Sequence, residues 1–191
     1  RFTQFAVSAA KQALDDSGPF IVLGLLLSAA LEAALTPELL QQLRQKAREL
    51  MSGRNLDHVF DERWEKLRDA LDREQAALRE RHGDESQRLN EFRDRREPLP
   101  KRLSEALRRF ESHEWEDAEA EAAYRELLEE QAEIRALEDF QARNRQQLRG
   151  GRSLGYDEAL ELMRQVERLG QMARNLLEGN FSSISLDELR E

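Results

Sequence analysis

LMRQVERLGQMARNL, residues 162–176, is the stretch whose reading decides the fold. Leu162, Val166, Leu169, Ala173 and Leu176 recur in it at spacings of four, three, four and three. That rhythm puts five apolar side chains on one face of a helix, with Arg, Gln and Glu on the other. About two heptads suit packing in an antiparallel bundle and are too few to demand a coiled coil. Met163 and Met172 flank the seam and read as adaptable core filler. Gly179-Asn180 ends this helix, and Ser185-Leu-Asp-Glu188 has the capping-box form that opens another. The expected fold therefore continues beyond Glu191, and the chain, which starts at Arg1, reads as an excised piece of a longer protein.

Upstream the same period persists. Phe60, Trp64, Leu67, Leu71 and Leu78 share one helical face, Gly83 interrupts it, and Leu89 and Phe92 carry the next stretch. Pro98 and Pro100 impose a stop. Leu103, Ala106, Leu107 and Phe110 predict a further helix. A turn at Ser112-His113 then leads into one longer helix carrying Tyr124, Leu127, Leu128, Ile134, Leu137 and Phe140. Gly150-Gly151 closes it as an interhelical linker. No stretch shows strand-like alternation, so the chain is expected to be all-α, a multi-helix bundle with long amphipathic helices.

The first 52 residues differ in texture. The run FIVLGLLLSAALEAAL, Phe20–Leu35, follows the breaker Ser17-Gly18-Pro19, and no charge lies between Asp16 and Glu32. It is slightly short of the ~20 apolar residues of a membrane span. Buried helix is the first reading, membrane-associated segment the second. Thr36-Pro37-Glu38 then starts a helix through Leu39, Leu40, Leu43 and Ala47, which Ser52-Gly53-Arg54-Asn55 ends. The expected domains are thus 1–52, apolar and helical, and 53–191, a charged helical bundle.

Composition narrows the function classes. Charged residues make up 36% of the 191 residues, above the ~25% of ordinary domains. Aromatics are only 6%, and the net charge is −9. An acidic balance disfavours binding to a nucleic-acid backbone. Arg93, Arg95 and Arg96 alternate with Asp94 and Glu97 and read as a solvated ion-pair face. The absence of cysteine excludes disulfides and thiolate metal sites.

No motif points to catalysis, a cofactor or a metal. His58, His82 and His113 are preceded three positions earlier by Asn55, Arg79 and Phe110, so no Glu-x-x-His pair exists. His113 with Glu116 and Asp117 is a weak surface grouping. Glu116, Glu119 and Glu121 read as a solvated face. Neither phosphate-binding glycine loop occurs, and no serine lies in a G-x-S-x-G turn. Trp64 and Trp115, each set among charges, are the candidate partner anchors.

The run SLGYDEALELMRQVERL, Ser153–Leu169, is followed by Leu176, Leu177 and then ISLDELRE from Ile184. It resembles the helical region that precedes the von Willebrand factor A domain in bacterial proteins of the CoxE-like and magnesium-chelatase-related group. Leu107, Phe110, Trp115, Ala118, Ala122, Tyr124 and Leu127 are similar in layout, so the resemblance covers about the last half of the chain. Such proteins are often encoded beside a MoxR-type AAA+ ATPase and work with it. The resemblance implies a non-catalytic helical scaffold or adaptor whose expected protein partner is that ATPase, and the expected setting is cytoplasmic. The A domain's metal motif, D-x-S-x-S, is not in this sequence. The alternative expectation is a membrane-associated helical module held through Phe20–Leu35.

Overall fold

The computed structural model describes residues 36–178, and among them the protein is all-α. The helices are α1 (residues 36–51), α2 (Asp61–His82), α3 (Gln87–Arg96), α4 (Leu103–Arg109), α5 (Ala118–Glu129), α6 (Gln131–Arg143) and α7 (Tyr156–Leu177). The run Phe20–Leu35 and the capping box at Ser185 lie outside the described residues. Among the described residues no helix is long and apolar enough to cross a membrane.

Two compact units divide the chain. Met51–Arg164 form one; the other takes the described residues before Met51 and after Arg164. In the second unit Leu43, Leu169, Met172 and Leu176 form a small core, with Leu39, Leu40, Ala47, Leu50 and Ala173 packed against it. The α1 positions follow the spacing of one helical face, as the sequence leads one to expect.

The five-residue seam of α7 is not buried evenly. Leu162, Leu169 and Leu176 are buried, while Val166 and Ala173 are half-buried. Met163 and Met172, expected as flanking filler, are themselves buried. The three leucines, seven apart, share one heptad position and line the inward face, whereas Val166 and Ala173 share the other and lie at its edge.

In the Met51–Arg164 unit, helix ends follow local chemistry. α2 opens with Asp61 and Glu62 and closes with Arg79, Arg81 and His82, charges that favour the two ends of its dipole. Gly83 stops it at φ 85°, a conformation that other residues rarely adopt. Ser86 caps α3 by accepting from the Leu89 amide at 3.3 Å. Asp117 caps α5 by accepting from the Ala120 amide at 2.7 Å.

The single helix expected from Tyr124 to Phe140 is two. Glu130, at ψ −5°, separates α5 from α6. No Gly or Pro marks the break, so its cause is tertiary. α5 packs on α2, whereas α6 packs on α4. Arg63 of α2 holds Glu130 at 2.7 Å, and Lys66 holds Glu126.

Gly150-Gly151 is more than a linker. Arg54–Asn55 (β1) pairs in parallel with Arg152–Ser153 (β2). The Gly150 amide donates to Arg54 O at 2.9 Å and Arg152 to Gly53 O at 3.0 Å. A Cβ on Gly150 would lie 1.8 Å from the Gly53 carbonyl carbon, so this crossing admits no side chain.

The core of the unit is leucine and phenylalanine: Leu67, Leu71, Leu78, Leu89, Phe92, Leu107, Phe110, Leu127, Ile134, Leu137 and Phe140 are all buried. Each contributes about 1.5–3 kcal/mol of transfer free energy.

Candidate functional site

Two glutamates are buried in this core, and both terminate helices that belong to other parts of the chain. Glu74 of α2 is fully buried. Its carboxylate accepts from the amides of Glu116 and Asp117 at 3.0 Å and from His113 Nε2 at 2.9 Å. It thus neutralises the free amides just ahead of α5 from across the helix interface. Glu138 of α6 does the same for α4. It accepts from the Ser104 amide and hydroxyl and from Arg102 Nε at 3.0 Å. Ser104 is itself buried.

Neither residue stands out by motif, although the sequence carries a signal for Glu74. The seam Leu67–Leu71–Leu78 skips one position of its own four-three-four rhythm, and Glu74 occupies it. A charged residue at a core position requires bonded partners. Glu138 stands one turn after Ile134 in the same way.

The grouping of His113 with Glu116 and Asp117 dissolves in the structure. His113 turns to Glu74 and stacks among Phe92, Phe110 and Trp115, with ring centroids 5.0, 6.3 and 5.1 Å away. Glu116, expected on a solvated face, is largely covered. It takes His82 at 3.1 Å, Arg88 at 2.8 Å and also Arg81. The His82 bond, opposed by burial and reinforced by Arg81 and Arg88, holds its carboxyl below the usual carboxylate range. Among the described residues no group of three or more His, Asp or Glu could hold a metal.

The arginine run on α3 also differs from the expected local ion-pair face. Arg96 reaches back to Asp72 at 2.6 Å and Gln75 at 2.7 Å on α2. Arg95 buries Nη1 with no hydrogen-bond partner among the described residues. It lines a hollow of about 210 Å³ with Arg88, Glu91, Ser112 and His113.

The two tryptophans have different settings. Trp115 is half-buried and stacks on Tyr124 at 4.9 Å between centroids. The Tyr124 hydroxyl donates to Leu107 O at 2.8 Å, and burial pushes its pKa up to about 12. Trp115 is thereby part of the aromatic packing that joins α3, α4 and α5.

Trp64 instead lines an open cleft of about 380 Å³. Leu56, Phe60, Trp64 and Leu148 supply its apolar surface; Asp57, Lys101, Arg102, Glu138 and Arg145 are its charged lining. Arg102 is neutralised by Glu138 and by Asp139 at 2.7 Å. Lys101 and Arg145 are exposed and make no ion pair among the described residues. Arg68 stands 5.9 Å from the Trp64 ring centroid. The wall behind is firm: Phe60 meets Tyr156 edge-on at 6.2 Å, and the Arg63 guanidinium lies over the Tyr156 ring at 3.3 Å. Burial raises the Tyr156 hydroxyl to about 12, against the pull of Arg63.

An aromatic floor with unpaired charge at its edge is the kind of surface on which binding energy concentrates. Comparison with known proteins found no matching family model, no matching curated protein and no matching solved structure.

Proposed function

We propose that this chain is a non-catalytic helical adaptor that docks a protein partner through the Trp64 cleft. The open cleft carries the reading: a half-buried tryptophan that lines open space beside Phe60, on helices fixed by internal glutamate bonds, is the kind of aromatic surface that dominates interface energetics. Because the C-terminal half resembles the region preceding a von Willebrand factor A domain, the partner we propose is a MoxR-type AAA+ ATPase. The expected cellular setting is cytoplasmic. Mixing purified chain with a MoxR-type AAA+ ATPase from the same organism, and weighing the mixture by light scattering, tests this. A stable complex is expected; two unchanged separate masses at concentrations well above micromolar contradict it.

The uncharged run before Glu32 favours a second reading, a membrane-associated module held through Phe20–Leu35. Flotation of the chain with lipid vesicles, abolished by removing residues 1–35, would put that reading first.

A further inference from the structure

The adaptor reading leaves open what the cleft recognises, and its charge answers that. We infer that the Trp64 cleft binds an acidic protein segment that carries a large apolar side chain. The proposal rests on the docking reading above.

The whole chain carries a net charge of −9, and most arginines of the Met51–Arg164 unit are spent on internal pairs. Arg63 pairs with Glu130, Arg73 with Glu119, Arg88 with Glu116 and Arg96 with Asp72. The cleft departs from that habit. Lys101 and Arg145 remain unpaired at its lining, and Arg68 adds a further cation beside Trp64. Asp57 is the one lining acid left unmatched, since Glu138 is taken by Arg102 and Ser104. Unpaired positive charge on a negative molecule gives acidic partners a favourable landing place that most of the surface denies them.

Leu56, Phe60, Trp64 and Leu148 supply the second requirement. A leucine-sized or aromatic side chain fits the 380 Å³ space and is desolvated against Trp64, while acids on either side of it reach Lys101 and Arg145. A purely acidic ligand leaves the tryptophan surface unused, and a purely apolar one leaves the cations unmatched.

Selection of a random peptide-display library on the full chain tests the proposal, with counter-selection on variants. Lys101→Glu and Arg145→Glu alter exposed side chains, and Trp64→Ser removes the apolar surface; helical circular dichroism checks each fold. Enriched peptides are expected to combine Asp or Glu with a large apolar residue. Binding should fall about tenfold or more in each charge reversal and in Trp64→Ser, and should weaken with salt. Basic or uncharged peptides that still depend on Trp64 overturn the acidic specificity but leave docking at the cleft intact. Peptides indifferent to all three variants overturn the cleft and leave an adaptor with another surface. Enrichment of nothing overturns both readings.

Discussion

Replacing Glu74 with glutamine tests how the Met51–Arg164 unit is held together. The carboxylate takes two backbone amides and one imidazole N–H, all at 2.9–3.0 Å. Hydrogen bonds to a charged acceptor contribute ~1.5–3 kcal/mol each, about twice a neutral one. Glu74→Gln keeps the shape and one carbonyl oxygen. It removes the charge and turns the second acceptor into an NH2 group that faces the Glu116 and Asp117 amides. Losing charge assistance on the remaining bonds and stranding one donor costs about 3–6 kcal/mol in sum. Relief of the buried charge returns part of it, so the expected net loss is ~2–4 kcal/mol. Urea unfolding followed by tryptophan fluorescence measures it. Both tryptophans of the chain, Trp64 and Trp115, lie in this unit, so the signal reports on it alone. A midpoint unchanged within about 0.5 kcal/mol, or one that rises, would show that Glu74 is a tolerated charge and that the cap across the interface contributes nothing.

Three further outcomes follow from the same geometry. Gly150→Ala should cost more than ~3 kcal/mol or prevent folding, because its Cβ would stand 1.8 Å from backbone; Gly151→Ala, with open space around it, should change stability by less than about 1 kcal/mol in the same urea assay. The only tyrosines, Tyr124 and Tyr156, should titrate near pH 12 by tyrosinate absorbance in the folded protein, against 10.0 unfolded. Their raised values mean that stability is fully present below pH 10.0 and is lost as pH rises towards 12; a native titration near 10 contradicts their burial. For Glu116 the sign is opposite. Its carboxyl is held below 4.5, so its contribution is present above that pH and fades as pH falls through the depressed value. Glu116→Gln should therefore flatten the acid limb of the stability profile, and an identical acid limb contradicts the Arg81–His82–Arg88 pairing.

Periodicity made the helices legible, because every amphipathic helix repeats its apolar side chains with the backbone turn. The stops at Gly83 and near Pro98 were equally readable, since they depend on local backbone chemistry. The break at Glu130 was not, because it arises from which neighbour each half packs against, and Glu129-Glu130-Gln131 carries no mark of it. The strand pair was hidden for a similar reason. Two residues are too few to show alternation, and the partner of Arg54 is Arg152, nearly the whole unit away in sequence. Both tryptophans stand out in the sequence for their setting among charges. Only the fold separates them, by giving Trp115 the Tyr124 ring and leaving Trp64 beside open space. Glu74 and Glu138 were lost among many acids, although each interrupts an apolar face.

Single-tryptophan proteins give the most direct test of docking at the cleft. Trp115→Phe leaves Trp64 as the sole fluorophore, and Trp64→Phe leaves Trp115. Acrylamide quenching of each is then measured with and without the MoxR-type ATPase proposed as the partner. Docking at the cleft predicts that the ATPase shields Trp64 strongly and leaves Trp115 unchanged. A complex that forms without altering the quenching of Trp64 would contradict the account, because the partner would then sit elsewhere.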